Sequence, residues 1–248
     1  MIYGNQSISH YSTGNVIIWM AMAFQAGFLN VGGLMTGHKI ISHVTGFATQ
    51  FGLEVNTLGF SAWTLLFIPF WFLLGSAISG YFVDIRLKLN KKPRYYLSFG
   101  IIFFLIIYVW YQSRIGYFGG FGEQDKSAKG IYLLCLLSLI CGIQNGTISI
   151  VSKSVVRTTH LTGITTDLGL GLVRVFYRKK LGKDLGDEGK ANLMRIGIIY
   201  FFIMGSVIGG LSFPRYGFDA FIVPAIISGV LFFLMLFFQL IKPKFSSR

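Results

Sequence analysis

One polar motif occurs twice in this chain, each time downstream of a long apolar run. His43-Val44-Thr45-Gly46-Phe47-Ala48-Thr49-Gln50-Phe51-Gly52 returns as His160-Leu161-Thr162-Gly163-Ile164-Thr165-Thr166-Asp167-Leu168-Gly169. A second echo follows each copy, Gly75-Ser76-Ala77-Ile78-Ser79-Gly80 and Gly205-Ser206-Val207-Ile208-Gly209-Gly210. Two matched pairs in the same order mark a duplicated unit. Such a duplication in a membrane protein points to a transporter-like or channel-like architecture.

The membrane reading rests on composition. The chain is 53% hydrophobic, carries 25 Phe and is only 12% charged, against about 25% charged residues in a soluble domain. Six apolar runs, about 16–36, 59–83, 95–112, 130–150, 194–213 and 220–241, reach the roughly 20 residues needed to cross a bilayer. Pro69 falls inside the second run and can kink a membrane helix without expelling it. The segments around the two His motifs, about 40–57 and 158–173, are shorter, glycine-rich and polar. They read as re-entrant or broken helices. Residues 1–14 are polar and lack Lys and Arg, so no cleavable leader is expected.

The net charge of +13 would suggest nucleic acid in a soluble protein. Here the cations lie in loops beside apolar runs, which suits topology and anionic lipid headgroups, so no nucleic-acid partner is expected. With a cytoplasmic N-terminus and six crossings, 17 of the 22 Lys and Arg fall inside and 5 outside, as the positive-inside rule asks. Eight crossings reverse the balance. Seven crossings, with only the first His segment spanning, match the rule equally but give the two copies different roles.

Three crossings per repeat turn the second copy upside down. The expected fold is all-α and polytopic, with about six transmembrane helices, two short re-entrant or broken helices and two inverted three-helix repeats. The divisions are a polar tail at 1–15, repeat 1 at 16–112, an outer loop at 113–129, repeat 2 at 130–241 and a basic cytoplasmic tail at 242–248.

If each motif is helical, Thr45, Thr49 and Gly52 share a face, as do Thr162, Thr166 and Gly169. Another face carries His43, Gly46 and Gln50, matched by His160, Gly163 and Asp167. Glycine between two polar side chains leaves a notch for a neighbouring backbone or a solute. Asn30, Gln144 and Asn145 stand in apolar runs and must find partners inside the protein. Lys153 and Arg157, upstream of the second motif, could meet an anion or lipid at a helix N-terminus. Asp167 stands where the first copy has Gln50, so it alone adds a titratable charge that suits proton coupling. The expected site brings His43, Thr45, Gly46, Thr49 and Gln50 opposite His160, Thr162, Gly163, Thr166 and Asp167 near the midplane. The small residues at Gly75 and Gly205 are expected to bring the second apolar helix of each repeat against its repeat mate. Cys135 and Cys141 read as packing residues.

Phe28-Leu29-Asn30 with His43-Val44-Thr45-Gly46, and Gly142-Ile143-Gln144-Asn145 with Arg157-Thr158-Thr159-His160-Leu161-Thr162-Gly163, resemble the YoaK-like multi-pass bacterial membrane proteins, a domain family of unknown function. The resemblance covers about 16–241. It implies a bacterial inner-membrane location and about six helices, and no settled activity.

The function expected is a small-solute transporter or channel for an anionic or carboxylate solute with proton coupling. The bilayer and an unknown small molecule are the expected partners, a homo-oligomer is compatible with the pattern, and no metal or cofactor is called for. The rivals are an intramembrane enzyme using the His and Asp groups, and a structural or regulatory membrane protein.

Overall fold

The computed structural model describes residues 13–54, 60–123, 127–151, 161–177, 180 and 186–241. Residues 1–12 of the polar tail, the basic tail, Lys153, Arg157 and His160 lie outside them. Among the described residues the chain is helical: α1 Thr13–Gly37, α2 Val44–Glu54, α3 Phe60–Ser79 with a π-helical turn Gly80–Asp84, and a short α4 Ile85–Lys88. Then come α5 Tyr95–Arg114, α6 Ala128–Val151, α7 Leu161–Phe176, α8 Gly186–Tyr216, a 3₁₀ turn Gly217–Phe221, and α9 Ile222–Leu236 with a π-helical turn Phe237–Ile241. The protein is an all-α, multi-pass membrane protein.

Local chemistry sets the ends. α1 stops where His38 turns left-handed at φ 51°, its N–H still bonded to the Leu34 carbonyl. Five helical stretches are long and apolar enough to cross a membrane: Gly14–Gly37, Trp63–Lys88, Tyr95–Arg114, Ala128–Ile150 and Glu188–Leu240. The last, at 53 residues, far exceeds one crossing. It folds back at Gly217, whose φ of +53° is open to glycine at little cost. The fold thus holds six apolar helices, which overlap the six runs.

Their directions alternate. α8 runs parallel to α1: a Cβ on Gly197 would meet Met20, and Gly32 lies under the Phe213 ring. α6 runs parallel to α3, with the Ser138 hydroxyl donating to the Ile68 carbonyl at 3.1 Å and the Ser79 hydroxyl to the Ile143 carbonyl at 2.6 Å. α5 and α9 are antiparallel. The Tyr96 N–H donates to Gln239 at one end, and the Trp110 indole N–H donates to Asp219 at the other. Gly32 also faces Phe221, at the start of α9. So α1, α5 and α8 point one way and α3, α6 and α9 the other.

Two crossings are backbone against backbone. A Cβ on Gly27 would strike the Phe202 carbonyl oxygen, and one on Gly205 that of Phe24. The other pair repeats this, with Gly142 against Phe72 and Gly75 against Leu139. Small residues allow this approach where lipid supplies no hydrophobic drive between helices. This corrects the expected partner. α3 and α8 do not meet as repeat mates; each packs on the first apolar helix of the other half. α6 and α1 are accordingly the inner helices, burying 83% and 67% of their apolar windows, against 28% for the stretch containing α3. Cys135 and Cys141 are buried on α6 as free thiols.

Candidate functional site

The inner helices carry the buried polar groups. Where α1, α6 and α9 converge, Gln25 Nε2 donates to Gln144 Oε1 at 2.9 Å, and Gln144 Nε2 donates to the Met22 carbonyl at 2.7 Å. The Ser228 hydroxyl completes the group by donating to Gln25 Oε1 at 2.9 Å. All three side chains are buried. An amide inside a bilayer protein is costly unless its donors and acceptors are met, and here the two halves satisfy each other. Gln144 was legible as a lone amide in an apolar run. Gln25 also stands in an apolar run and carries the same signal. Ser228 carries no signal beyond its hydroxyl.

Asn30 and Asn145 occupy matching places, each three residues after the glycine that meets a facing phenylalanine carbonyl. Asn30 Oδ1 accepts the Ser42 N–H at 3.2 Å, and the Ser138 hydroxyl donates to the Ile41 carbonyl at 3.2 Å. These bonds draw the chain after α1 back into the bundle, so α2 begins inside and runs outward. Asn30 stands five residues beyond Gln25 on α1, roughly 7.5 Å of helical rise from it. Asn145 follows directly on Gln144. It is buried, and its Oδ1 has no hydrogen-bond partner.

The motif helices dock at opposite ends. α2 packs on α3 and α7 on α8, and among the described residues no hydrogen bond, ion pair or ring contact joins one motif to the other. His43, Thr45 and Thr49 are exposed on or beside α2; Thr162, Thr166 and Asp167 are exposed on α7. The threonines behave alike in both copies: Thr49 bonds back to the Thr45 carbonyl and Thr166 to the Thr162 carbonyl, each at 3.0 Å. The notch at Gly46 is occupied by the His43 ring, and Gln50 accepts from Lys39 at 2.9 Å. Gly163 is partly buried.

The α7–α8 seam holds charge. Arg195 Nη1 donates to Glu188 Oε1 at 2.8 Å and to Asn192 Oδ1 at 2.6 Å, while Arg174 on α7 stands 3.6 Å from the other Glu188 oxygen. Gly171 leaves room for these groups, because a Cβ there would overlap Asn192, Glu188 and Arg195.

A family model described as protein of unknown function (DUF1275) matches residues 18–234, and the chain belongs to that family. No curated protein and no solved structure matches it.

Proposed function

We propose that this member of the DUF1275 family is a small-solute transporter or channel of the bacterial inner membrane, built from two inverted three-helix halves at 16–112 and 130–241. The Gln25–Gln144–Ser228 group carries the reading. It is a hydrogen-bonding centre shared by both halves, set where a bundle of pure scaffold needs only apolar side chains. The alternating helix directions support inversion, since α1 pairs with α8 as α6 pairs with α3. Broken helices that start inside a bundle are a common way to line a solute path. In this reading Asn30 and Asn145 flank the centre, the two His-x-Thr-Gly motifs border the path from opposite sides, and the solute exchanges hydrogen bonds with the amides as the halves rock. The YoaK-like resemblance agrees with this picture. The basic loops place both termini on the cytoplasmic side by the positive-inside rule. We read the solute as an anion or carboxylate, with Asp167 as the group that couples protons.

Uptake by proteoliposomes tests the reading. A panel of labelled small carboxylates and neutral polar solutes is offered to the parent and to a Gln25→Leu/Gln144→Leu variant. Replacing both hydrogen-bond partners together leaves no orphaned amide between them, so the fold is retained. The parent should accumulate at least one solute, and the variant should lose most of that uptake. Equal uptake by both proteins, or none by the parent, defeats it.

A further inference from the structure

Two buried donors at the α7–α8 seam lack an acceptor. Arg195 Nε and Asn192 Nδ2 make no hydrogen bond, although Asn192 is only 5% exposed and the Arg195 side chain 11%. Leaving such donors unmet is costly, and native structures seldom keep them without a use. Flipping the Asn192 amide brings no relief. Its Oδ1 accepts from Arg195 Nη1 at 2.6 Å, and reversal would set two donors face to face.

Among the described residues, Arg195 and Arg174 bring two positive charges to the carboxylate of Glu188. Glu188 engages only the Nη1 side of Arg195, which leaves the Nε edge of the guanidinium. A guanidinium N–H and an amide N–H, both buried and unmet, are donors suited to a planar or tetrahedral oxygen anion. We propose that the α7–α8 seam is a binding site for a small oxyanion, a carboxylate or phosphate group that accepts from Arg195 Nε, Asn192 Nδ2 or both.

The first half argues that these charges are not needed for packing. The spacing that carries Gly75 to Gly205 carries Leu65 to Arg195, and Leu65 is buried and apolar. There α2 docks through Phe51 and Trp63, with ring centroids 5.9 Å apart. A motif helix can thus rest on its neighbour through aromatic contact where the other half uses an arginine. The site requires no transport, so it stands or falls apart from the function proposed above.

Thermal melting of the full chain tests it. In detergent, sodium phosphate and sodium acetate are compared with sodium chloride at matched ionic strength. In nanodiscs, phosphatidylglycerol is compared with phosphatidylcholine. Stabilisation by dissolved phosphate or acetate supports a free anion as the source. Stabilisation by phosphatidylglycerol alone supports the same site filled by a lipid headgroup. In either case Asn192→Leu, Arg195→Gln or both should weaken the response at least tenfold in midpoint concentration. If Arg195→Gln does not fold, Asn192→Leu decides, because it removes a donor and leaves the Arg195–Glu188 pair. No specific stabilisation of the parent by any of these probes overturns the proposal, as does an unchanged response in every variant that folds.

Discussion

The two halves solve one packing problem with different chemistry. In the first, α2 rests on α3 through Phe51, Trp63 and the buried Leu65. In the second, α7 rests on α8 over Glu188, Asn192 and Arg195, with Gly171 giving them space. The backbone crossings beneath are the same in both, Gly27 with Gly205 and Gly75 with Gly142. What the halves share is therefore what the fold requires, and where they differ is where specific function can be sought. Desolvating an ion pair yields little net stability even when the pair is well made, so the charged seam is hard to explain by stability alone.

The shared part is open to the harshest test. Gly205→Leu and Gly75→Leu should each abolish monodisperse folded protein, because a side chain would have to enter the facing backbone. Cost at such a site exceeds the roughly 1–3 kcal/mol of ordinary overpacking. Size-exclusion profiles and melting curves read this out. If only one variant fails, the two crossings are not equivalent.

Removal of one charge in the second half comes next. Arg195→Leu leaves Glu188 with only the longer contact to Arg174 and should destabilise by about 3 kcal/mol. Adding Glu188→Leu should recover most of that loss by making the seam resemble the first half. A double-mutant cycle by chemical denaturation in mild detergent measures the coupling, and additive losses would show that the second half needs its charges to fold.

The central amides should respond less. Gln144→Ala leaves Gln25 without its acceptor and should cost about 1–3 kcal/mol, while Gln25→Leu/Gln144→Leu should melt closer to the parent. Smallest of all is the effect of salt. Raising it should loosen α7 more than α2, because the α7 seam holds the Arg174–Glu188–Arg195 ion pairs and ions screen them partly. Hydrogen exchange of the two helices at low and high salt checks this; equal responses would erase the proposed difference between the seams.

Small-residue spacing announces a close approach without saying to which helix, so Gly75 and Gly205 mark packing in the sequence and the structure supplies the partners, α6 and α1. The two motif helices pack on different neighbours, α2 on α3 and α7 on α8. Both do border the bundle, yet Asn30 and Ser42 draw α2 in from one end, while α7 lies along the first turns of α8 at the other. Arg195 was counted as one more cytoplasmic cation, because its burial depends on α7 covering it.

The amino-acid sequence by itself determined the number and approximate places of the apolar helices and displays the paired motifs. Each of these is written locally, in runs of about 20 residues and in motifs repeated in register. It also flagged Asn30, Gln144 and Asn145, since a lone amide in such a run must be satisfied inside the protein. Tertiary structure alone decided that α1 embraces α8 and α3 embraces α6, that Gln25 and Ser228 complete the central group, and that Arg195 and Asn192 keep unmet donors. Those outcomes hang on contacts between residues far apart in the chain, such as the 203 positions separating Ser228 from Gln25, and on helix direction, which no single run encodes.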